Sequence, residues 1–196
     1  MILSDIDIKK ALKEGRIIVD PLFPKAIQPA SVDLHLGPDF LVFNTKKHAC
    51  IDPKEPIDGM MDKVTIDDDH QFIIHPGQFA LGMTYEVTGV AADMVGRLEG
   101  KSSLGRIGLI IHATAGYLDP GNRLKMTLEL HNVSDLPIKL YYKMPIAQMS
   151  FTPLSSPSEN PYTNKRVGSK YYGNMKPKAS QYWKNFQVNN DWIKFN

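Results

Sequence analysis

A glutamate in the middle of the chain has the surroundings that proton-transfer chemistry needs. Glu129 lies in the segment Lys125–His131, which alternates strictly between apolar and polar residues and therefore predicts a β-strand. The apolar face of that strand would carry Met126, Leu128 and Leu130. On this pattern alone, Glu129 is either a general base or the solvated side of an ordinary antiparallel strand.

A second carboxylate, Asp119, precedes Pro120 and Gly121. Aspartate first, proline second and glycine third suit a type II turn, because that turn requires a positive φ at its third residue. The simplest role for Asp119 in such a turn is to accept local backbone hydrogen bonds.

The segment Gly100–Arg106 (GKSSLGR) combines a lysine with two serines. The serines predict the start of a short helix, and Lys101 would stand beside its free backbone N–H groups. Two interpretations remain open, a phosphate site or an ordinary helix start with a solvated lysine. The spacing is not that of a P-loop.

Short β-strands must position these residues. Ser4 or Asp5 can cap a first helix that ends near Gly15, with an apolar face made of Ile6, Ile8, Ala11 and Leu12. After it, turn pairs such as Pro76-Gly77 separate strand-like runs, which favours an all-β barrel or sandwich. These runs are Ser31–Gly37, Phe40–Phe43, Gln71–Ile74, Phe79–Met83, Val95–Leu98, Gly108–His112, Lys125–His131, Ile138–Tyr142 and Gln148–Phe151.

Two stretches do not follow the strand pattern. The acidic, turn-rich stretch Ala49–Asp69 predicts a surface excursion. Residues 155–196 are rich in Ser, Pro, Asn, Tyr, Lys and Gly, which predicts a tail that is mobile or is ordered only by a ligand or a partner chain. The 196 residues otherwise fit one domain spanning 1–196.

Composition excludes several classes of protein. Lys and Arg number 23 against 21 Asp and Glu, so the net charge of +2 predicts no general attraction to nucleic acid or to an anionic membrane. The single cysteine, Cys50, excludes a disulfide framework. We expect no membrane-spanning segment and a cytoplasmic location, since no apolar run approaches about 20 residues.

Several motifs, in one order, resemble those of the dCTP deaminases. GKSSLGR, HATAGYLDPG (residues 112–121) and TLEL (127–130) carry the likeness, with SVDLHLG (31–37) before them and LPIKL, SPSENPY and GSKYYG after them. That family shares the trimeric dUTPase fold. The resemblance therefore implies a mainly β, distorted jelly-roll or β-barrel with a short N-terminal helix and a flexible C-terminal tail.

The resemblance also implies catalytic roles. Glu129 would be the general base that moves a proton from water to the leaving amine of cytosine. Ser102 would hold that water, and Arg106 would orient Glu129 and stabilise charge near the base. Zinc deaminases instead use a His/Cys/Cys site, whose H-x-E…P-C-x-x-C signature this chain lacks.

The motif TAGYLD (114–119) is more similar to the branch that also hydrolyses the triphosphate, so that dCTP yields dUMP. Asp119 then matches the aspartate that activates water for attack on the α-phosphorus. Mg²⁺ would be bound through the triphosphate and water rather than by side chains. The alternatives are a monofunctional deaminase that releases dUTP and a non-catalytic nucleotide-binding regulatory relative.

Substrate binding, by the same resemblance, would use residues from three segments, with dTTP as a feedback inhibitor and active sites between the chains of a homotrimer. The C-terminal segment would close as a lid over the triphosphate. Two positions depart from the family: Asn122 replaces an aromatic residue that packs on the deoxyribose, and Asn174 replaces a glutamine. The substrate-binding residues would be Lys101, Ser103, His112, Ala113, Thr114, Ala115, Gly116, Tyr117, Arg166, Lys170, Tyr171, Asn174 and Lys178.

Overall fold

A computed structural model describes residues 1–46, 48–114, 116–164 and 168–187 of this chain. Its helices are α1 (Asp5–Lys13), α2 (Ser102–Gly105) and α3 (Lys184–Gln187), with one 3₁₀ turn at Asp58–Met60. The strands within these residues are β1 (Ile17–Asp20), β2 (Ile27–Gln28), β3 (Ser31–His35), β4 (Asp39–Phe43), β5 (Met61–Thr65), β6 (Phe72–Ile74), β7 (Phe79–Met83), β8 (Val87–Val90), β9 (Met94–Gly100), β10 (Leu109–Ile110), β11 (Tyr117–Leu118), β12 (Arg123–Leu124), β13 (Thr127–Asn132), β14 (Ile138–Leu140) and β15 (Pro145–Pro153).

Two five-stranded antiparallel sheets carry most of the chain. One has the order β10-β13-β7-β4-β5 and the other the order β11-β9-β15-β3-β2. A three-stranded sheet, β1-β8-β12, and the pair β14-β6 complete the arrangement among the described residues. The predicted mainly β fold with a short N-terminal helix is confirmed.

The core lies between the apolar faces of these sheets. Leu128 and Leu130 of β13 are fully buried, as are Leu34 of β3, Met149 and Phe151 of β15, and they belong to one continuous cluster. The predicted alternation of β13 is therefore confirmed, because its other face is only half-buried. That second face is the one that carries Glu129.

The first helix agrees with its prediction except at Ser4 and Ile6. Ile8 and Ala11 are buried, and Gly15 follows the helix with a φ of 71°. Ser4 precedes α1 but makes no side-chain capping hydrogen bond, and its hydroxyl donates to the Asp7 carboxylate instead. Ile6, however, is 72% exposed. The helix contacts the body of the protein along a narrow stripe, and Ile6 lies outside it.

The acidic stretch Ala49–Asp69 is not entirely a surface excursion. Its second half forms β5, which pairs with β4 along the register Phe43↔Met61 to Asp39↔Thr65. Met61 is buried in a small cluster with Leu41, Ile57 and Ala179. The sequence pattern did not predict β5, because this strand has few apolar residues and lies in an acidic stretch.

The described part of the C-terminal segment also differs from the expectation of a tail ordered only by a ligand or a partner chain. Lys125 N–H donates to the backbone oxygen of Asn174 at 2.9 Å. Gln181 N–H donates to the hydroxyl oxygen of Tyr171 at 2.9 Å. Asn174, through the bond to Lys125, and Ala179, buried with Leu41 and Ile57, therefore attach this segment to the body of its own chain.

None of the described helices is long and apolar enough to cross a membrane.

Two leucines four residues apart, Leu136 just before β14 and Leu140 at its end, offer a matched test of the core. Leu140 is fully buried and Leu136 is 74% exposed. We expect Leu140→Ala to lower the free energy of unfolding by about 2–5 kcal/mol, because it removes buried methyl groups and leaves a cavity. Leu136→Ala should stay within about 0.5 kcal/mol of the wild type in the same urea titration. Equal losses in the two variants would contradict this assignment of the core.

Candidate active site

A cavity of about 430 Å³ opens beside β13. That volume falls within the usual range for pockets that bind small molecules. One part of its wall is apolar and is formed by Phe43, Phe79, Leu81, Leu124 and Met126. The other part is polar and includes His112, Asp119 and Glu129, so two of the predicted catalytic carboxylates border one space.

Glu129 is held by the loop that follows β10. Its Oε2 accepts backbone hydrogen bonds from Ala113 at 2.9 Å and from Thr114 at 3.0 Å. The Thr114 hydroxyl approaches the same carboxylate at 3.4–3.5 Å, and His112 Nδ1 lies 3.8 Å from Oε2. Glu129 is thus not simply the solvated side of a strand, since its carboxylate has fixed donors and faces a cavity.

Asp119 occupies the turn that its neighbours predict. The Asn122 N–H donates to the Asp119 backbone oxygen at 3.0 Å, and Gly121 has a φ of 76°, as the third residue of a type II turn requires. Burial raises the pKa of the Asp119 carboxyl above its ordinary value of 3.8. The turn therefore presents a carboxylate in a partly desolvated place on the cavity wall.

Gly116 lies where no side chain fits. A Cβ atom built there would be 2.6 Å from the backbone oxygen of Leu98 and 3.1 Å from His112 Nε2. The backbone of Gly116 also accepts a hydrogen bond from Leu98 N–H at 2.8 Å. Glycine at this position lets the loop before Tyr117 lie directly against β9.

The predicted residues of the GKSSLGR segment do not border this cavity. Ser102, Ser103 and Arg106 are exposed on α2 and are absent from the cavity wall. Lys101 is already paired with a carboxylate, because its Nζ lies 2.7 Å from Asp33 Oδ1 in a partly buried ion pair. The sequence did not indicate this partner.

The remaining predicted residues divide between the cavity and its surroundings. Tyr117, Tyr171 and Lys178 line the cavity beside His112. Lys170 instead binds the side-chain oxygen of Asn185, and Asn174 is not on the wall, its Nδ2 being buried without a partner among the described residues. Ala115 and Arg166 lie outside the described residues.

Sequence reasoning missed three polar residues on the wall, Thr127, Tyr162 and Ser180. Thr127 is on the same face of β13 as Glu129, two residues earlier, so the strand period could have identified it. Tyr162 lies beyond the sheets, and its N–H donates to the Pro120 oxygen at 2.8 Å. Burial, and then the nearby charge of Asp119, raise the pKa of the Tyr162 hydroxyl. The one sequence signal that could have identified Tyr162 is its position as the last residue of the SPSENPY motif.

These features define a mainly β protein with a ligand-sized cavity that holds two carboxylates, and comparison with known proteins gives its family. The family described as dCTP deaminase-like matches residues 2–154. A protein named "dCTP deaminase, dUMP-forming" from Corynebacterium jeikeium is 47% identical over 187 residues, which are 95% of this chain and 100% of that protein. One of the same name from Thermobifida fusca is 47% identical over 95% of each chain. This chain belongs to the dCTP deaminase-like family.

A solved structure supports the fold. The crystal structure of 2′-deoxycytidine 5′-triphosphate deaminase from Agrobacterium tumefaciens superposes with a TM-score of 0.60 at 22% identity. The match covers 76% of this chain and 47% of that longer chain. The distorted β fold implied by the sequence motifs is therefore confirmed.

The raised pKa of Asp119 predicts how its amide variant responds to pH. The ionised carboxylate is less stable in the folded protein than in the unfolded chain, so this penalty grows as the pH rises through the folded-state pKa. Asp119→Asn should therefore increase the free energy of unfolding at pH 7, and the increase should fade as the pH approaches 3.8. Urea titrations across this pH range measure the difference.

Asp67 supplies a control of opposite sign. A hydrogen bond with the His70 side chain lowers the pKa of the Asp67 carboxyl, which is exposed. Its ionised form is favoured by folding, so Asp67→Asn should decrease stability at pH 7. A loss of stability in both variants at pH 7 would contradict the desolvation of Asp119.

Proposed function

We propose that this chain is a hydrolase that converts dCTP and two water molecules to dUMP, ammonia and pyrophosphate, in the supply of pyrimidine deoxynucleotides. The observation that carries the proposal is the presence of Glu129 and Asp119 on the wall of one cavity. The relatives named "dCTP deaminase, dUMP-forming" support it at 47% identity over 95% of the chain. We also propose that the enzyme acts in the cytoplasm.

In the deamination step, Glu129 acts as the general base and uses no zinc. The Ala113 and Thr114 amides hold Oε2, so Oε1 is the better placed oxygen to take a proton from water. The oxygen of that water bonds to C4 of cytosine. As the C4=N3 double bond becomes single, N3 takes that proton from Glu129. Glu129 then moves the remaining hydroxyl proton to the amine, the C4–N bond breaks, C4=O forms, and ammonia leaves.

In the second step, Asp119 activates water for attack on the α-phosphorus of the dUTP formed. The P–O bond to the β-phosphate breaks, and pyrophosphate leaves with dUMP as the other product. An aspartate with a raised pKa is a better proton acceptor than a fully solvated one. Its position on the cavity wall favours the two-step reaction over a deaminase that stops at dUTP.

The second step has a place for Mg²⁺, which would neutralise charge on the pyrophosphate. The described residues form no group of three or more His, Cys, Asp or Glu side chains able to hold a metal. By the family resemblance, such an ion would be carried by the triphosphate and water rather than by side chains. Asp119, on the cavity wall, would contact the water around such an ion.

The rest of the proposed site comes from α2 of another copy. Ser102, Ser103 and Arg106 are exposed and absent from the cavity wall of their own chain. If Ser102 holds the attacking water and Arg106 orients Glu129, these residues must reach the cavity from a neighbouring subunit. We therefore propose a homotrimer with active sites between chains.

The C-terminal segment would close the same cavity. Tyr171 and Lys178 already lie on its wall, and Lys178 supplies a cation for the triphosphate. The loop 112–116, whose amides hold Glu129, is the element through which dTTP would inhibit. A thymine base in the cavity would favour a loop position unsuited to deamination.

Substitution of the two carboxylates tests the function. Glu129→Gln should abolish product formation from dCTP, because an amide cannot accept the proton. Asp119→Asn should slow the second step at least about 100-fold and let dUTP accumulate. Chromatography of the nucleotides after incubation with dCTP and Mg²⁺ separates dCTP, dUTP and dUMP.

Exposed residues provide matched controls for these variants. Glu14→Gln and Asp135→Asn carry the same chemical changes on the surface and should leave both steps unchanged. Product formation near the wild-type rate by Glu129→Gln would remove this residue from the mechanism. Accumulation of dUTP by the wild type would indicate the monofunctional reaction, and failure to process dCTP would favour a binding protein.

Mixing two inactive variants tests the shared site. Ser102→Ala and Glu129→Gln subunits, assembled together at equal amounts, should form trimers in which about one site in four receives intact Ser102 and Glu129 from different chains. Activity should therefore return to about a quarter of the wild-type value. If both residues acted within one chain, every site would keep one defect, and mixed trimers verified by light scattering would stay inactive.

A further inference from the structure

The carboxylate of Asp33 is paired with the lysine that directly precedes α2. Asp33 Oδ1 lies 2.7 Å from Lys101 Nζ, and only 15% of the Asp33 side chain and 29% of the Lys101 side chain are exposed. Among the ion pairs that lysine or arginine forms within the described residues, this pair is the least exposed. Removal of either partner would leave the other charge partly shielded from water and without its counterion.

Asp33 belongs to a firmly held part of the molecule. It lies on β3, which pairs with β15 on one side and with β2 on the other. Its N–H donates to the Ala26 oxygen at 2.8 Å, and its neighbours Val32 and Leu34 are fully buried in the main core. The carboxylate therefore extends from a fixed backbone.

The helix α2, in contrast, has little support of its own. Within the described part of the chain, none of its four residues is buried and no side chain caps its N-terminus. So short a helix is not stable through its backbone hydrogen bonds alone, because the first turn is costly to form. Lys101 is the N-cap residue, so the ion pair acts at the point where Ser102 begins the helix.

We propose that Asp33 is a positioning residue for deamination and that it serves the cavity of a neighbouring subunit rather than its own. The inference rests on the proposed function, in which Ser102 and Arg106 reach the cavity of another copy. Asp33 is absent from the cavity wall of its own chain. Through Lys101 it determines where Ser102 stands when it meets the neighbour's substrate and water, and a small displacement of such a group slows the reaction.

Substitution of Asp33 measures the size of this effect. Asp33→Asn removes the charge and nearly keeps the shape of the side chain, so kcat for dCTP should fall about 10- to 100-fold. Asp33→Glu keeps a carboxylate and should retain more activity than Asp33→Asn. Asp93→Asn is the matched control, because it breaks the partly exposed ion pair with Arg16 and should stay near the wild-type rate.

Mixed trimers show whose cavity Asp33 serves. Asp33→Asn and Glu129→Gln subunits are assembled together at equal amounts, and light scattering checks that they are trimeric. About one site in four then combines an intact Glu129 with an α2 that Asp33 still holds, so activity should return to about a quarter of the wild-type value. A mixture of Asp33→Asn with Ser102→Ala should not recover, because every α2 in those trimers is defective.

The reverse pattern would overturn the inference. If Asp33 shaped the cavity of its own chain, the mixture with Glu129→Gln would stay at the level of its parents and the mixture with Ser102→Ala would recover. Wild-type activity of the Asp33→Asn protein would also overturn it. If Asp33→Asn does not assemble, Lys101→Gln breaks the same ion pair from the other side and must give the same two results.

The mixture of Ser102→Ala with Glu129→Gln separates this inference from the proposed function. Recovery in that mixture, without recovery when Asp33→Asn replaces Ser102→Ala, would refute the role of Asp33 alone. Absence of recovery in both mixtures would refute the shared site of the proposed function.

Discussion

The contact between the Glu129 carboxylate and the loop after β10 determines the shape of the site. The backbone N–H of Glu129 donates to Ile111 at 3.1 Å, and the side chain accepts from Ala113 and Thr114. The proposed general base is therefore also the residue that holds the loop in place. A movement of the loop must remove two donors from the carboxylate, so the position of the loop and the orientation of the Glu129 side chain are physically coupled.

This coupling extends to β9 through Gly116. The loop reaches β9 only because residue 116 has no side chain, since a Cβ atom there would be 2.6 Å from the Leu98 oxygen. Leu98 is buried in the main core and pairs with Met149 across the sheet. The loop is consequently supported on one side by β9 and on the other by Glu129.

Local sequence patterns predicted the parts of this site that depend on near neighbours. The alternation of β13 placed Glu129 opposite the core face, and Asp-Pro-Gly specified the turn at Asp119, because both depend on residues only a few positions apart. The same reasoning could not find β5, whose Met61 is buried by Leu41 and Ala179 from distant segments. Nor could it place residues 168–187, because their contacts depend on a surface that exists only after the sheets form.

The ion pair between Lys101 and Asp33 joins two motifs that are 68 residues apart in the sequence. Asp33 belongs to SVDLHLG on β3, and Lys101 directly precedes α2. Asp33 lies on β3 and Lys101 directly follows β9, and these two strands do not pair with each other but lie on either side of β15. With Asp33 only 15% exposed, the pair is largely shielded from water, and a phosphate would have to compete with a carboxylate already 2.7 Å from Lys101. The ion pair therefore holds the start of α2 against the sheet. The position of α2 in turn determines which face of the protein carries Ser102 and Arg106.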